Sequence, residues 1–443
     1  MNLFEKRLGP FYDPWEAASE AVRRRVMRRR LADYAAWARR LPFYRDRLAG
    51  FDPKAEHPLL KVPVLASDDL RDLVPPKSER LLTAKKGGCT VFQSGGTTGS
   101  PKSALFASGE IDGLDLPNAR GFFAVGLTPK DRVANLWAAG SLYMTFIHVN
   151  RMLQDYGCVN FPLSNHAAPE FTHMVARLFK TNCVTGITSV ALNALRGMER
   201  LGLEGIRIEK LYYGGEHIYE ADKAEIRRRF GTEIIAAPGY GTIDSWYIGY
   251  QCQLTPTGVF HCHDDQCWLE IADEATGRPC APGETGMAFA TAFPRRLTPI
   301  VRYRVGDRAQ WVGKPCPCGR TTPLFRLLGR GDDVLRIGFD SVAYDYVQDC
   351  VAEVGGLSGS VQMRKERFQG RDRLIVAVET AAPKTELSRL KKALEKRILA
   401  QRPTLAKAVR TGEVLPVRVE LRKPGALPRN PRTGKLIRAV DAL

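Results

Sequence analysis

Residues 91–103 read Val-Phe-Gln-Ser-Gly-Gly-Thr-Thr-Gly-Ser-Pro-Lys-Ser. Ser94, Gly95, Gly96, Thr97, Thr98 and Gly99 set three glycines among hydroxyl side chains, and Lys102 adds a positive charge. Without Cβ atoms, glycines let backbone N–H groups converge on one point and let a ligand approach the chain closely. Hydroxyl donors and an ammonium complete what a polyphosphate requires. The spacing is not that of a G-x-x-x-x-G-K-[ST] loop, and Pro101 bars a helix from following directly. Ser103-Ala104-Leu105-Phe106-Ala107 instead reads as a strand, so the loop is expected to join two strands and to cover phosphates from above.

Four further groups carry chemistry. Tyr240-Gly241-Thr242-Ile243-Asp244 follows an apolar run. A tyrosine between Gly239 and Gly241 can lay its ring on a planar base, and Asp244 can ligate Mg²⁺, which is usually held by one or two carboxylates together with phosphate oxygens. Ile300 to Asp307 reads as a strand ending in Gly-Asp, and a carboxylate there can accept hydrogen bonds from ribose hydroxyls. Cys252, His261, Cys316 and Cys318 match the four-ligand set of structural zinc, with the choice of His261 over His263 left open. Cys280 and Cys350 stand apart from that set. Lys435 is a lone lysine after Gly434, near the tip of a terminal loop bounded by prolines.

The elements that must position these groups are legible in outline. Trp15 to Leu41 reads as one long helix, with Val22, Val26, Tyr34, Ala38 and Leu41 at helical spacing. Arg23, Arg24, Arg25, Arg28, Arg29 and Arg30 crowd its middle, and a solvated basic face is the expected reading, since no nucleic-acid-binding signature accompanies them. Residues from about 109 to 228 alternate strand and helix signals, which predicts an α/β fold with a mostly parallel sheet and helices on both faces. Ligands of such sheets sit at the carboxyl ends of the strands, where the turns Gly140-Ser141, Gly186-Ile187-Thr188-Ser189 and Gly214-Gly215-Glu216 fall. Beyond Asp332 the pattern becomes a hairpin, a helix with Leu387, Leu390, Leu394 and Ile398 on one face, and a strand. That is a small α+β unit, so domains of 1–331 and 332–443 are expected.

Composition narrows the partners. With 443 residues, 44% hydrophobic and 26% charged, the chain has the make-up of an ordinary globular protein of two or three domains. No apolar run is long enough to span a membrane, and residues 1–7 carry no signal-peptide core, so a soluble, cytoplasmic protein is expected. Ten cysteines in that compartment suit metal binding or buried thiols more than disulfides. A net charge of +18 favours an anionic partner such as a nucleotide, coenzyme A, nucleic acid or a membrane surface.

In this order and at these intervals the motifs resemble the adenylate-forming superfamily, in its phenylacetate-CoA ligase-like branch, over nearly the whole chain. The resemblance makes Ser94–Lys102 the phosphate loop and Gly214-Gly215-Glu216 the adenine-side loop. Tyr240–Asp244 is similar to the family's Y-G-x-T-E element, and Tyr303-Arg304-Val305-Gly306-Asp307 to its Y-R-T-G-D element. Gly329-Arg330-Gly331-Asp332-Asp333 is similar to its hinge, and Leu427-Pro428-Arg429 through Gly434-Lys435 to its terminal loop. It implies a large AMP-binding domain and a small mobile domain, with Lys435, Arg330 and Asp332 as catalytic and hinge residues. It further implies ATP-dependent conversion of a carboxylic acid to an acyl-adenylate with release of pyrophosphate, then acyl transfer to coenzyme A with release of AMP, with Mg²⁺ at Asp244 and a structural zinc.

Trp137, Tyr143, Tyr213 and Trp246 point to an aryl or heteroaryl acid. The alternative acceptor is a carrier-protein thiol, an amine or a hydroxyl. The alternative of another class is a nucleic-acid-binding protein acting through the arginine helix, although a nucleic acid is not the expected partner and a homodimer is allowed. Three departures stand out. Asp244 replaces the usual Glu, Arg336-Ile337-Gly338-Phe339-Asp340-Ser341 replaces the run after the hinge, and Asn430-Pro431-Arg432 replaces a Thr-led tripeptide.

Overall fold

A computed structural model describes residues 2–84, 87–93, 102–203, 205–218, 220–331, 333–338, 340–357, 359–368, 371–430 and 434–441, without the side chains of 330, 336, 341 and 441. The chain divides into two compact units, one ending at Leu328 and one running from Gly329 to Leu443; the short stretch 220–225 counts with the second.

The first unit contains three sheets. Strands β1 (Cys89–Gln93) and β2 (Ser103–Ala107) form an antiparallel hairpin with Gln93 opposite Ser103. The glycine-rich loop therefore does join two strands, while its residues 94–101 lie outside the described ones. Next, β3 (Arg132–Leu136), β4 (Val159–Pro162), β5 (Cys183–Ile187), β6 (Lys210–Gly214) and β7 (Ile234–Ala236) make a five-stranded sheet in the order β4-β3-β5-β6-β7, parallel throughout. Every residue of β5 is buried, as expected for a strand covered on both faces. The helices Thr145–Tyr156, Pro169–Leu178 and Thr188–Arg200 connect these strands.

The expectation of a mostly parallel domain holds for that sheet alone. Strands β8 (Tyr240–Thr242), β9 (Trp246–Tyr250), β10 (Val259–Cys262), β11 (Cys267–Ala272), β12 (Gly286–Ala292), β13 (Ile300–Val312) and β14 (Leu324–Arg330) build a second, seven-stranded sheet, in which β8–β9, β9–β10, β10–β14, β11–β12 and β12–β13 pair antiparallel. Turns, not helices, join these strands, so nothing like the strand–helix alternation announces the sheet. The strand expected to end at Asp307 instead continues to Val312. Between the pairs Met287↔Arg308 and Phe289↔Arg304, Val305, Gly306 and Asp307 bulge out opposite the single residue Ala288. Bulges of this kind re-aim side chains and are common beside active sites.

The arginine helix is shorter than its pattern suggests. A 3-10 turn, Pro14–Ala17, precedes helix α1 (Glu20–Ala38), and Ser19 Oγ caps α1 by accepting from Val22 N. Pro42 opens a separate short helix, Pro42–Arg47, where its missing N–H costs nothing. The packed face is Met27, Leu31, Tyr34, Ala35 and Ala38, whereas Val22 is 40% exposed. Nor are all the arginines solvated. Arg23 is buried and donates to Asp264 Oδ2, Ala18 O and Thr321 Oγ1. Arg28 donates to the carbonyls of Pro53 and Ala55, and Arg30 to that of Asp265. Arg24, Arg25 and Arg29 remain on the surface. Half of the basic run thus fastens α1 to the unit, which removes the continuous stripe that a nucleic acid would need.

The second unit has its own core. Strands β15 (Val334–Ile337) and β16 (Asp340–Ala343) pair as a hairpin. Strands β17 (Val361–Phe368), β18 (Arg371–Glu379), β19 (Arg418–Arg422) and β20 (Ala439–Asp441) form a mixed sheet in the order β19-β18-β17-β20. Leu390, Leu394 and Ile398 of helix Leu387–Ala400 are fully buried in that core with Val376 and Met363. Among the described residues, no helix is long and apolar enough to cross a membrane.

Candidate active site

Lys102, just before β2, and Asp244, 142 residues apart, meet in the first unit. Lys102 Nζ lies 2.5 Å from Asp244 Oδ2 and also donates to the Tyr303 hydroxyl. Tyr303 in turn donates to Asp244 Oδ2 at 3.0 Å, and Ser67 Oγ is 3.1 Å from the Tyr303 hydroxyl and 3.4 Å from Lys102 Nζ. All but Ser67 are buried. Burial works to lower the pKa of Lys102, but the Asp244 carboxylate and the Tyr303 hydroxyl outweigh it and hold the ammonium above its ordinary value. Burial first, then Asp244, pushes the Tyr303 hydroxyl up to about 12, so it stays protonated and can donate.

A second pair joins two motifs that are adjacent only in space. The Tyr240 hydroxyl donates to Asp307 Oδ2 at 2.6 Å, and the Tyr240 ring packs against Phe260 and Phe325 at centroid distances of 5.5 and 5.7 Å. Next to it the chain turns so tightly that a Cβ on Gly241 would stand 2.0 Å from the Trp246 carbonyl oxygen. Thr242 Oγ1 closes the turn by accepting from Ser245 N. Gly214 ends β6, and a Cβ there would meet the Trp137 ring at 2.8 Å. Gly215 has φ +74, a conformation that glycine adopts without a steric penalty. Glu216 Oε2 accepts from Ser189 N at 2.9 Å, and Thr188 Oγ1 donates to the Glu216 carbonyl, so two of the strand-end turns are tied together.

The thiols converge elsewhere in the unit. The ligand atoms of Cys252, His261, Cys316 and Cys318 all lie within 4.8 Å of one another. Cys252 Sγ is 3.7 Å from Cys316 Sγ, and Cys318 Sγ is 3.4 Å from His261 Nε2. Thr322 Oγ1 contacts His261 Nδ1 at 3.1 Å, which orients the ring with Nε2 toward the sulfurs. That settles which histidine faces the cysteines. His263 instead lies 3.0 Å from Arg120 through Nδ1; burial and then that guanidinium hold its pKa well below the imidazole range. Three sulfurs and an imidazole suit tetrahedral zinc.

Several residues around these sites escape sequence reasoning. Ser67 reads only as a helix start, and nothing local hints at its contact with Lys102. Arg120, fully buried, forms ion pairs with Asp13 at 2.6 Å and Asp265 at 2.7 Å. Glu16, also buried, accepts from Arg320 and from the Tyr250 hydroxyl, pinning the N-terminal turn to the C-P-C-G hairpin. Ser94, Gly95, Gly96, Thr97, Thr98, Gly99 and Asp332 lie outside the described residues, as does the side chain of Arg330. Lys435 is described within the second unit. Its carbonyl accepts from Asn430 N at 2.7 Å, and Gly434 N donates to Asn430 O at 2.8 Å.

The fold is that of adenylate-forming ligases. The chain superposes on the crystal structure of 2-hydroxyisobutyryl-CoA ligase in complex with 2-HIB-AMP with a TM-score of 0.79, over 98% of this chain and 92% of that one, at 21% identity. The same ligase in complex with 2-HIB-AMP and CoA gives a TM-score of 0.66. No family model matches the chain. In sequence it is 26% identical over 350 residues to a phenylacetate-coenzyme A ligase of Escherichia coli (strain K12), covering 76% of this chain and 78% of that protein. It is 24% identical over 450 residues to the phenylacetate-coenzyme A ligase of Pseudomonas putida, covering 100% and 99%. The chain is a homologue of the AMP-forming phenylacetate-coenzyme A ligases, within the adenylate-forming superfamily, and the resemblance carried by its motifs is borne out at that level.

Proposed function

We propose that this protein activates a carboxylic acid with ATP, giving an acyl-adenylate and pyrophosphate, and then transfers the acyl group to coenzyme A. The observation that carries this reading is the meeting of Lys102, Asp244 and Tyr303, three residues supplied by three separate motifs. In the first step a carboxylate oxygen bonds to the α-phosphorus as the bond to the departing pyrophosphate breaks. Negative charge shifts onto phosphate oxygens, so positioned cations and N–H donors supply most of the stabilisation. Lys102 and the loop Ser94–Gly99 hold the departing phosphates. Tyr240 and the Gly214-Gly215-Glu216 turn flank the adenine, with Gly241 and Thr242 keeping the tyrosine's turn tight, and Asp307 accepts from the ribose hydroxyls.

The Asp244 carboxylate is a hard oxygen donor that fits Mg²⁺, which when bound neutralises phosphate charge. With Mg²⁺ held at Asp244, Tyr303 and Ser67 would still anchor the Lys102 ammonium. Lys435 brings its ammonium to the reacting oxygens, and Arg330 and Asp332 belong to the hinge on which the second step depends. Gly329, at φ +92, leaves no room there, because a Cβ would fall 2.0 Å from the Asp345 carboxylate. Replacing Asp332 by Pro fixes φ near −65° and deletes an N–H. It is expected to impair either pyrophosphate exchange or acyl transfer from synthetic acyl-AMP far more than the other, and an equal loss in both from folded protein would refute the hinge.

An aryl acid accords with the phenylacetate-coenzyme A ligase homologues and with Trp137, whose indole is held by a 3.0 Å bond to Thr185 Oγ1 and packs on Gly214. The deciding experiment is acid-dependent ATP–pyrophosphate exchange across aryl and alkyl acids, followed by thioester formation with coenzyme A. Absence of exchange with every acid overturns the proposal. Exchange without thioester moves the acceptor to a carrier thiol, an amine or a hydroxyl.

Cys252, His261, Cys316 and Cys318 are proposed to hold one structural zinc, away from the chemistry. None of the ten cysteines is joined in a disulfide, which accords with a reducing cytoplasm. Metal analysis is expected to find about one zinc per chain, as a closed four-ligand site requires. Cys316→Ser is expected to lower the melting temperature before it alters acid preference, because the hairpin it closes holds Arg320 against Glu16. Fully folded, metal-free protein of unchanged stability would refute the site.

A further inference from the structure

Helix Pro169–Leu178 packs one face inward, burying Thr172, His173, Val175 and Ala176. Its packing against helix Thr188–Arg200 is close, since a Cβ on Gly197 would stand 2.6 Å from Pro169 Cγ. The outer face is unlike that of an ordinary surface helix. Phe171, Met174 and Leu178 recur at i, i+3 and i+7, one stripe of a helix, and with Phe179 they are 48–67% exposed. Phe179 carries the stripe onto the sheet, because its ring lies 5.0 Å from that of Phe161 on β4. Val159, two residues earlier on β4 and so on the same face, is 50% exposed. Isolated exposed apolar side chains are ordinary, but a contiguous group rimmed by charge marks an interaction site.

The charges at the ends of the stripe select the occupant. Glu170 lies at the start of the helix and Arg177 at its end, both exposed, and neither has an ion-pair partner among the described residues. A two-fold axis through Met174 would set two copies of this helix antiparallel. Each Glu170 would then face Arg177 of the second copy, with the apolar stripes meeting between them and the helix dipoles opposed. Strand addition is not the mode of contact. β4 is the edge of its sheet, but Pro162 supplies no N–H there, and proline on an edge blocks pairing. The contact is made by side chains, an apolar centre within a charged rim.

We infer that this face is the interface of a homodimer, a second copy of the chain packing its Pro169–Leu178 helix antiparallel against the first. The test is the mass of the full-length protein in solution, by light scattering after size exclusion and by sedimentation. The unaltered protein is expected to be a dimer. Met174→Glu, which sets two carboxylates against each other at the axis, is expected to give a monomer with unchanged near-ultraviolet circular dichroism. Glu170→Arg and Arg177→Glu are each expected to weaken the dimer, and the two together to restore it; this pair of surface changes decides the matter even where Met174→Glu disturbs folding. A monomeric unaltered protein overturns the inference, as does a dimer indifferent to these substitutions. Binding of the monomer to anionic lipid vesicles through the same residues would give the face to a membrane and likewise overturn it.

Discussion

Lys435→Ala is expected to slow acid-dependent pyrophosphate exchange by about 10²–10³, the usual consequence of deleting one charge-stabilising donor from a transition state. Acyl transfer from supplied acyl-AMP should be largely kept, because that step starts after the charge on the α-phosphate has been resolved. The fold should survive the change. The turn that carries Lys435 is closed by backbone bonds, Asn430 N to Lys435 O and Gly434 N to Asn430 O. It is anchored from outside by the buried Glu379, whose Oε1 accepts from Leu427 N at 2.8 Å and whose Oε2 lies 3.4 Å from Arg429. None of these contacts uses the lysine ammonium. A variant with undiminished exchange would remove Lys435 from the mechanism, and one that loses both half-reactions together would make it a general binding residue.

The second large effect concerns Asp244, where structure and chemistry can be separated by a cycle of substitutions. Asp244→Asn leaves Lys102 buried and charged beside a neutral amide in place of its carboxylate. Breaking a buried pair on one side typically costs about 3–5 kcal/mol, so the variant should unfold at markedly lower denaturant. Lys102→Met/Asp244→Asn removes the orphaned charge and should recover most of that loss. Exchange activity should recover in neither, since the proposed reaction needs both the carboxylate and the ammonium. If the double variant is no more stable than Asp244→Asn, the Lys102–Asp244 contact does not govern stability. If Asp244→Asn keeps full magnesium-dependent exchange, the carboxylate does not serve the metal.

The same pair sets a pH dependence at the alkaline end. The folded-state pKa of Lys102 lies above its ordinary value because Asp244 and Tyr303 override burial. Its contribution to stability is therefore complete below the ordinary lysine pKa and is lost as pH rises through the higher folded value. Thermal melts of the unaltered protein should fall in that alkaline window, and those of Lys102→Met/Asp244→Asn should fall less.

Much of this molecule follows from local pattern. The five strands of the parallel sheet and the helices between them are written as apolar runs and helical stripes, because strand and helix periods differ and each segment carries its own. The hairpin of β17 and β18, and the Leu390-Leu394-Ile398 stripe, are legible for the same reason. So are the chemically active groups. Glycines among hydroxyls, Tyr240 between two glycines and the C-P-C-G turn announce their chemistry wherever the fold places them.

What sequence order could not decide is which of these groups meet. The bond from Lys102 to Asp244, the anchoring of both by Tyr303 and Ser67, and the bond from Tyr240 to Asp307 are contacts between distant segments that no local period encodes. The seven-stranded sheet is of the same kind. Its short strands are joined by turns, and the bulge that displaces Val305–Asp307 exists only because β12 is its partner. Likewise His261 and His263 are equivalent on paper. The fold turns one toward three sulfurs and the other toward Arg120, and it buries Arg23 while leaving Arg24 and Arg25 in water. Residue types and short spacings determined the chemistry this protein can perform. Long-range pairing, decided by which surfaces bury one another, determined where its charges are held.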